Sequence, residues 1–364
     1  MAAPASDDEP DDADALAAGS AAPVTPRPPP EPPPAPPPGV DAPHGLRPLT
    51  EAQLTVLHGS AEDEVPEHRG GVAPSMENKH YLSGNEKALN AFFGDLDGVG
   101  GAYVGVGTDQ GYLFTSWARF EVAWFIDYDP VIQEIHELYR LLFAHADTPE
   151  AFLALWDEPA REEVFALIDA EHAGPRAKQL RYWYRNSRAR IHGHLSRTRR
   201  RMIAREVPSY LDDQARYDYV RRMLELRRIR PLLVDLLADR GLAEIGRASE
   251  ALGVPIRVIY LSNAEQYWKR YSPQYKANIE GLPVADDAIV LRTITAWDAN
   301  DDYRYNMQTV ASYREWIAQP YIRNVYDLVK AGPPASPKGI TYFRVDGDPA
   351  DSPRGRQWRA ANPP

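Results

Sequence analysis

Three features of the 364-residue sequence predict an α/β protein with a mostly parallel sheet and flanking helices. Short apolar segments of strand length alternate with helical segments, an order typical of parallel sheets that are covered on both faces. A glycine-rich turn follows the first predicted strand, and an acidic residue follows the second. Hydrophobic residues make up 43% of the chain, an ordinary share for a protein with a sizeable core.

The N-terminal 48 residues are predicted to be a disordered tail. They combine acidic, alanine-rich and proline-rich segments, and the proline run at 26–38 should adopt extended polyproline II rather than pack in a core. We interpret this tail as a spacer or low-complexity segment, with a ligand for a proline-binding domain as the alternative. Residues 1–67 hold 13 acidic and two basic residues, so this segment carries the whole formal charge of −11.

The composition also limits the kinds of site and the cellular locations that we expect for this protein. The chain has no cysteine, which excludes disulfides, thiolate metal sites and a cysteine nucleophile. No window approaches the roughly 18 consecutive apolar residues of a membrane helix, and the acidic N-terminus lacks the apolar core of a signal peptide. We therefore expect a cytoplasmic protein without a membrane association, or an exported or tethered one if a leader was removed.

The remaining elements follow from turn residues and apolar periodicity. Thr50 before Glu51-Ala-Gln-Leu predicts a capped helix, a loop follows at 60–76, and the pattern from 130 to 223 is helical. Strands are predicted at 102–106, 122–126, 232–234, 256–261, 288–291 and 340–343, and further helices at 85–93, 111–119 and 242–252. The predicted domain spans 49–345, with a helical insertion at 130–228 between the second and third strands and a C-terminal tail at 346–364.

The most informative segment is the glycine turn at 105–110. A strand that ends in Gly105-Val-Gly107 turns tightly and brings its backbone close to a ligand, and the following helix directs amide donors to the same place. Asp127, just past the second strand, occupies the position that binds ribose hydroxyls in Rossmann-like folds. The alternative is that the glycines serve packing and that Asp127 caps the helix beginning at Pro130.

The spacing favours one ligand class. Dinucleotide sites usually read Gly-x-Gly-x-x-Gly, whereas here Gln110 stands at the sixth position. Asp109 adds a negative charge where a phosphate would lie, and a cationic sulfonium tolerates that charge better. The pattern therefore favours S-adenosylmethionine over NAD.

The arrangement resembles the core of class I S-adenosylmethionine-dependent methyltransferases. Gly105 and Gly107 match the first two glycines of the family's motif and Asp127 matches its acid, whereas Asp109 replaces the third glycine. The resemblance implies that the glycine turn, including Asp109 and Gln110, holds the methionine part and that the acid holds the ribose. More closely, the runs at 105–110, 125–127, 261–267, 278–293 and 305–308 are similar to an uncharacterised bacterial family of methyltransferase-like proteins, which brings no established activity.

The resemblance also places further residues. Asp235, after the third strand, would lie near the adenine, or else cap a turn. The end of the fourth strand would face the substrate, and its polar cluster offers orienting groups and proton acceptors. We assign catalytic roles to Asn263, Glu265 and Tyr267, and substrate-binding roles to Ser262, Gln266 and Arg292. The alternatives are a capping box within 262–266 and an internal ion pair between Arg292 and Glu265.

We interpret the arginine-rich stretch and the histidines as structural rather than functional. The arginine-rich stretch at 176–205 also contains aromatic residues, a combination that can grip nucleic acid, but we favour a solvated helix face paired with acids. His192 and His194 point to different sides of a helix, so they do not predict a shared metal. His136 on an apolar helix face is interpreted as a packed residue.

The leading hypothesis is therefore a methyltransferase that acts on a small or medium-sized substrate, with the helical insertion as a lid. The expected partner is a small molecule rather than nucleic acid, and no metal is predicted. Two alternatives remain: a ligand-binding or regulatory module that kept the fold without the reaction, and an enzyme that uses a nucleotide or NAD. The sequence does not predict an oligomeric state.

Overall fold

The structure is a computed structural model that describes residues 45–66, 79–295, 302–329, 341–345 and 347–363. Most of the predicted N-terminal tail with its proline run, and residues 67–76 of the predicted loop, lie outside the described residues. Among the described residues, no helix combines the length and apolar character that a bilayer crossing requires.

Within the described ranges, seven strands form one sheet in the order β3-β2-β1-β4-β5-β6-β7. Their bounds are β1 Ala102–Val106, β2 Val122–Asp127, β3 Ile229–Leu233, β4 Ile256–Tyr260, β5 Val284–Thr295, β6 Tyr303–Thr309 and β7 Thr341–Arg344. Strands β1 to β5 are mutually parallel, β6 runs antiparallel to β5, and β7 runs parallel to β6. The predicted mostly parallel, Rossmann-like α/β fold is confirmed. Strand β6 was missed because its Tyr-Arg-Tyr-Asn-Met-Gln-Thr sequence has no apolar run.

Helices cover both faces of the sheet. In chain order, the helices before β3 are α1 Glu51–His58, α2 Phe93–Leu96, α3 Asp109–Ala118, α4 Pro130–His145, α5 Pro149–Ala154, α6 Arg161–Glu171, α7 Gly174–Ala204 and α8 Gln214–Glu225. The helices after β3 are α9 Gly241–Leu252, α10 Pro273–Glu280, α11 Val310–Ala318, α12 Val325–Val329 and α13 Pro353–Ala361. Thr50 caps α1 through a complete capping box with Gln53, which confirms that predicted start.

The core has two layers because side chains alternate across the strands. Tyr103 and Phe125 point to the face that α2 to α8 cover, whereas Val104 and Trp124 point to the face that α1 and α9 to α12 cover. Helices α4 to α8 all lie between β2 and β3 in the sequence, where the helical insertion was predicted. The segment predicted as a C-terminal tail contains a 3₁₀ turn at Pro349–Asp351 and helix α13.

Candidate functional site

A cavity of about 440 Å³ opens at the carboxyl ends of the parallel strands. Its wall includes residues after β1, β2, β3 and β4, the last residue of β5 and the first of β6. Eight of the residues predicted to form the site line it together: Gly107, Gln110, Asp127, Asp235, Ser262, Asn263, Gln266 and Tyr267. The sheet thus brings together predicted residues that are as much as 160 positions apart in the sequence, from Gly107 to Tyr267.

The glycine turn contributes to the cavity through one glycine. Gly107 has φ +111°, a backbone conformation that favours glycine, and lines the cavity. Gly105 lies inside β1, and a Cβ there would come within 1.9 Å of the Tyr103 hydroxyl. The cofactor contact predicted for Gly105 is therefore corrected: this glycine makes room for a neighbouring side chain.

A buried histidine orients the turn. His136 Nε2 lies 3.2 Å from the carbonyl oxygen of Gly107, and its Nδ1 lies 2.9 Å from the hydroxyl of Tyr112. Burial lowers the pKa of His136 to about 4, so the ring is neutral at neutral pH. Because a carbonyl only accepts, Nε2 donates to Gly107 and Nδ1 accepts from Tyr112. The packed role predicted for His136 is confirmed.

Asp109 lies behind the cavity wall. Its Oδ1 accepts from the Gly84 amide at 2.6 Å, and its Oδ2 lies 2.7 Å from His194 Nε2 on α7. Burial would raise the pKa of Asp109, but His194 outweighs it and the net shift is downward. Burial would likewise lower the pKa of His194, and Asp109 reverses that shift. The predicted cofactor contact is corrected: this carboxylate ties the turn to α7.

Asp127 lines the cavity at the end of β2, where its Oδ1 accepts from the Asp129 amide at 2.9 Å. Helix α4 is capped by Asp129, which accepts from the Val131 amide at 3.1 Å. The alternative in which Asp127 serves as that cap is therefore wrong. Asp129 also binds His80 Nδ1 at 2.7 Å, which ties it to the segment before α2.

Asp235 lines the same wall after β3 and accepts from the Leu237 amide at 2.9 Å, as a turn residue does. Its own amide donates to Asp63 Oδ2 at 3.1 Å, and the Gly241 amide donates to Asp63 Oδ1 at 2.9 Å. Burial raises the pKa of Asp63. Asp63 was not predicted; it positions the Asp235 turn and the start of α9.

The residues after β4 form the opposite wall. Ser262 has φ +49°, a strained conformation for a residue with a side chain, and strain of this kind is often found at functional sites. A 3₁₀ turn at Ala264–Tyr267 follows, and Asn263 precedes it without a side-chain cap, so the predicted capping box is absent from this turn. Gln266 Oε1 accepts from both the amide and the hydroxyl of Thr295 at 3.1 Å, which joins this turn to the end of β5.

Glu265 and Arg292 do not reach the cavity. Both side chains are fully buried and form an ion pair with Nε and Oε2 2.7 Å apart. Glu265 Oε1 also accepts from the hydroxyls of Tyr271 and Tyr313 at 2.7 Å each, and the Arg292 guanidinium lies over the Tyr313 ring. The catalytic role predicted for Glu265 and the substrate contact predicted for Arg292 are corrected, and the alternative of an internal ion pair is confirmed.

One buried carboxylate that the sequence did not predict connects the two walls. Glu86 is 4% exposed, and both of its oxygens accept hydrogen bonds. Its donors are neutral groups from four segments of the chain. Oε1 accepts from Tyr260 Oη at 2.8 Å, Ser262 Oγ at 3.0 Å and Thr293 Oγ1 at 3.3 Å. Oε2 accepts from Gln110 Nε2 at 3.0 Å and from the Asn85 amide at 3.1 Å. No local motif marks Glu86, since Gln110 is its nearest side-chain partner at 24 residues.

The arginine-rich stretch is in part a paired helix face, since four of the nine arginines on α7 form ion pairs with described acidic residues. Arginines of α7 form ion pairs with acids on neighbouring helices: Arg176 with Glu134, Arg181 with Asp169, Arg188 with Glu158 and Arg199 with Glu150. His192 and His194 contact different acids, Asp157 and Asp109, so they point apart as predicted. Glu137, Glu171 and His172 lie close enough to share a cation, but Arg140 already bridges the two carboxylates.

Comparison with known proteins gives a family without a stated function. No curated protein matches the chain. A family model matches residues 81–343, which include both walls of the cavity apart from Pro66 and Lys79. The chain therefore belongs to the family described as a domain of unknown function, DUF7790.

Proposed function

We propose that the cavity binds S-adenosylmethionine and that the protein is a methyltransferase acting on a small or medium-sized substrate. The observation that carries this proposal is that Gly107 and Asp127 line one cavity together with Asp235. Its volume of about 440 Å³ falls in the range of about 300–1,000 Å³ that is typical of small-molecule sites.

The order of the strands suggests how a ligand would lie. Along the edge of the sheet, the β3 end offers Asp235 and two leucines, the β2 end offers Asp127, and the β1 end offers Gly107. An apolar pocket, a carboxylate and a backbone turn in that order suit an adenine, a ribose and an amino-acid tail. The β4 end lies on the other side of β1, so its side chains would face the methyl acceptor.

Charge favours a sulfonium ligand over a phosphate. The described part of the wall carries the carboxylates of Asp127, Asp129 and Asp235 and a single basic residue, Lys79. The start of α3 is also engaged by protein groups, because the Thr108 amide donates to Gln110 Oε1 at 3.2 Å. A pyrophosphate would meet repulsion and lose that amide, which disfavours the nucleotide and NAD alternatives.

Methyl transfer depends mainly on alignment of the nucleophile with the methyl group and its leaving sulfur. Asn263 and Tyr267 line the β4 side of the cavity, and the amide and the phenol can orient an acceptor by hydrogen bonding. Glu265 is committed to Arg292, so we assign no proton acceptance to it. These residues would therefore act as positioning groups.

A ligand panel tests this proposal on the full chain. We expect S-adenosylmethionine and S-adenosylhomocysteine at millimolar concentration to raise the melting temperature, because ligands that bind only the folded state stabilise it. ATP and NAD should leave it unchanged. A shift with NAD or ATP alone would favour the nucleotide-enzyme alternative. Binding of both adenosyl compounds without methyl transfer to any tested metabolite pool would favour the non-catalytic module.

A further inference from the structure

Glu86 is a buried carboxylate whose described hydrogen-bond partners are all neutral. Its donor set suits an ionised carboxylate, which only accepts hydrogen bonds. The neighbouring His194 is already paired with Asp109, with Nε2 and Oδ2 2.7 Å apart. When the three groups are ionised, Glu86, Asp109 and His194 together carry one net negative charge behind the cavity wall.

This charge lies where the two walls meet. Two of its partners, Gln110 and Asn85, line the cavity on the side of the β1 turn, and Ser262 lines it at the β4 end. The proposed function places the ligand's methionine part at the first wall and the acceptor at the second. The carboxylate is thus one layer of side chains away from the place where a transferable methyl group would pass.

We infer that Glu86 is a specificity-determining residue that makes the cavity select a ligand with a positive charge at this junction. The inference rests on the proposed function and adds to it a preference between two ligands of nearly equal shape. S-adenosylmethionine carries a sulfonium, whereas S-adenosylhomocysteine carries a neutral thioether. In a poorly solvated wall, a carboxylate whose hydrogen-bond donors are neutral attracts the first more strongly than the second.

The preference for a positive charge affects turnover as well as affinity. A lone pair of the acceptor forms the new bond to the methyl carbon while the carbon–sulfur bond breaks and its electrons return to sulfur. The positive charge on sulfur thereby disappears, and any proton displaced from the acceptor leaves to solvent. The attraction to Glu86 then ends, so the product binds less tightly than the substrate. The buried carboxylate would thereby favour exchange of spent ligand for fresh ligand.

Calorimetric titration of the full chain with both compounds tests this inference through the ratio of their dissociation constants. In Glu86→Gln the amide oxygen can accept from Gln110 and Asn85, and the amide nitrogen can donate to the hydroxyls of Tyr260 and Ser262. We expect this variant to lose preference for S-adenosylmethionine by roughly tenfold. Glu86→Asp should keep the preference even if both affinities fall, because it keeps the charge.

The control is Asp286→Asn, which removes one carboxylate from an exposed position on β5 outside the cavity wall and should leave the ratio unchanged. If Glu86→Gln loses affinity for both compounds equally, this inference is overturned and the proposed function is not affected. Wild-type protein that binds neither compound would overturn the proposed function and this inference with it. If Glu86→Gln does not fold, the wild-type ratio decides: equal affinities for the two compounds contradict the selection.

Discussion

The two walls of the cavity use charged residues in opposite ways. On the β1–β2–β3 side, the carboxylates of Asp127 and Asp235 that follow the strands line the cavity. On the β4–β5 side, Glu265 follows β4 and Arg292 lies near the end of β5, yet the two neutralise each other in the core. Charged residues near strand ends therefore have two outcomes in this fold: they line the cavity or they form a buried ion pair.

The largest effect expected from this comparison is on the β4–β5 side. Arg292→Met removes one member of a fully buried ion pair and leaves Glu265 uncompensated, so the free energy of unfolding should fall by about 3–5 kcal/mol. Urea denaturation measures it. A second substitution, Glu265→Gln, should recover part of the loss. A single variant as stable as wild type would mean that the pair is not a buried structural contact.

The β1 side should respond to pH through His136. Its folded pKa of about 4 lies below the unfolded value of 6.5, so the native state resists protonation. This contribution to stability is fully present above pH 6.5 and declines as the pH falls toward 4, by up to about 3 kcal/mol. The measurement is the difference in free energy of unfolding between wild type and His136→Gln across that range. A difference that stays constant with pH would contradict a neutral, buried ring.

A smaller effect is expected at the turn itself. Gly107→Ala imposes a side chain at φ +111° and places its Cβ 3.1 Å from Gln110 Oε1. We expect a loss of about 1–2 kcal/mol of folding free energy and a loss of roughly tenfold in ligand affinity. The matched control is Gly98→Ala, also at positive φ but in open space outside the cavity wall, which should lose stability without losing affinity. Unchanged affinity in Gly107→Ala would remove the turn from the site.

Local patterns predicted much of the fold and residues on both walls of the cavity, such as Gly107 and Ser262. The strand at 102–106 agrees with β1 because a buried parallel strand is apolar along its length, and the Thr50 cap depends only on its neighbours. Strand β6 was not predictable, since buried Asn306 and Gln308 break the apolar pattern. Glu86 was not predictable either, because Tyr260 is 174 residues away and only the folded sheet brings the two together.

Glu265 and Arg292 show the opposite error: both were predicted to belong to the site, and both are buried in the core. Polar residues in sequence carry no sign of the side to which they point, and 27 residues separate these two. The same uncertainty applied to Asp109, whose partner His194 lies on a helix of the insertion, 85 residues away. Charges that pair across the fold resemble site residues until the topology is known.

We propose that Asp127 holds an adenosyl ligand in the cavity, and calorimetry with S-adenosylhomocysteine measures that contribution. We expect binding to wild type and to the exposed control Asp286→Ala, and a loss of at least about a hundredfold in Asp127→Ala, since hydrogen bonds to a charged group contribute about 1.5–3 kcal/mol each. Circular dichroism should show all three proteins folded. Equal affinity of Asp127→Ala and wild type would contradict a ligand contact by Asp127.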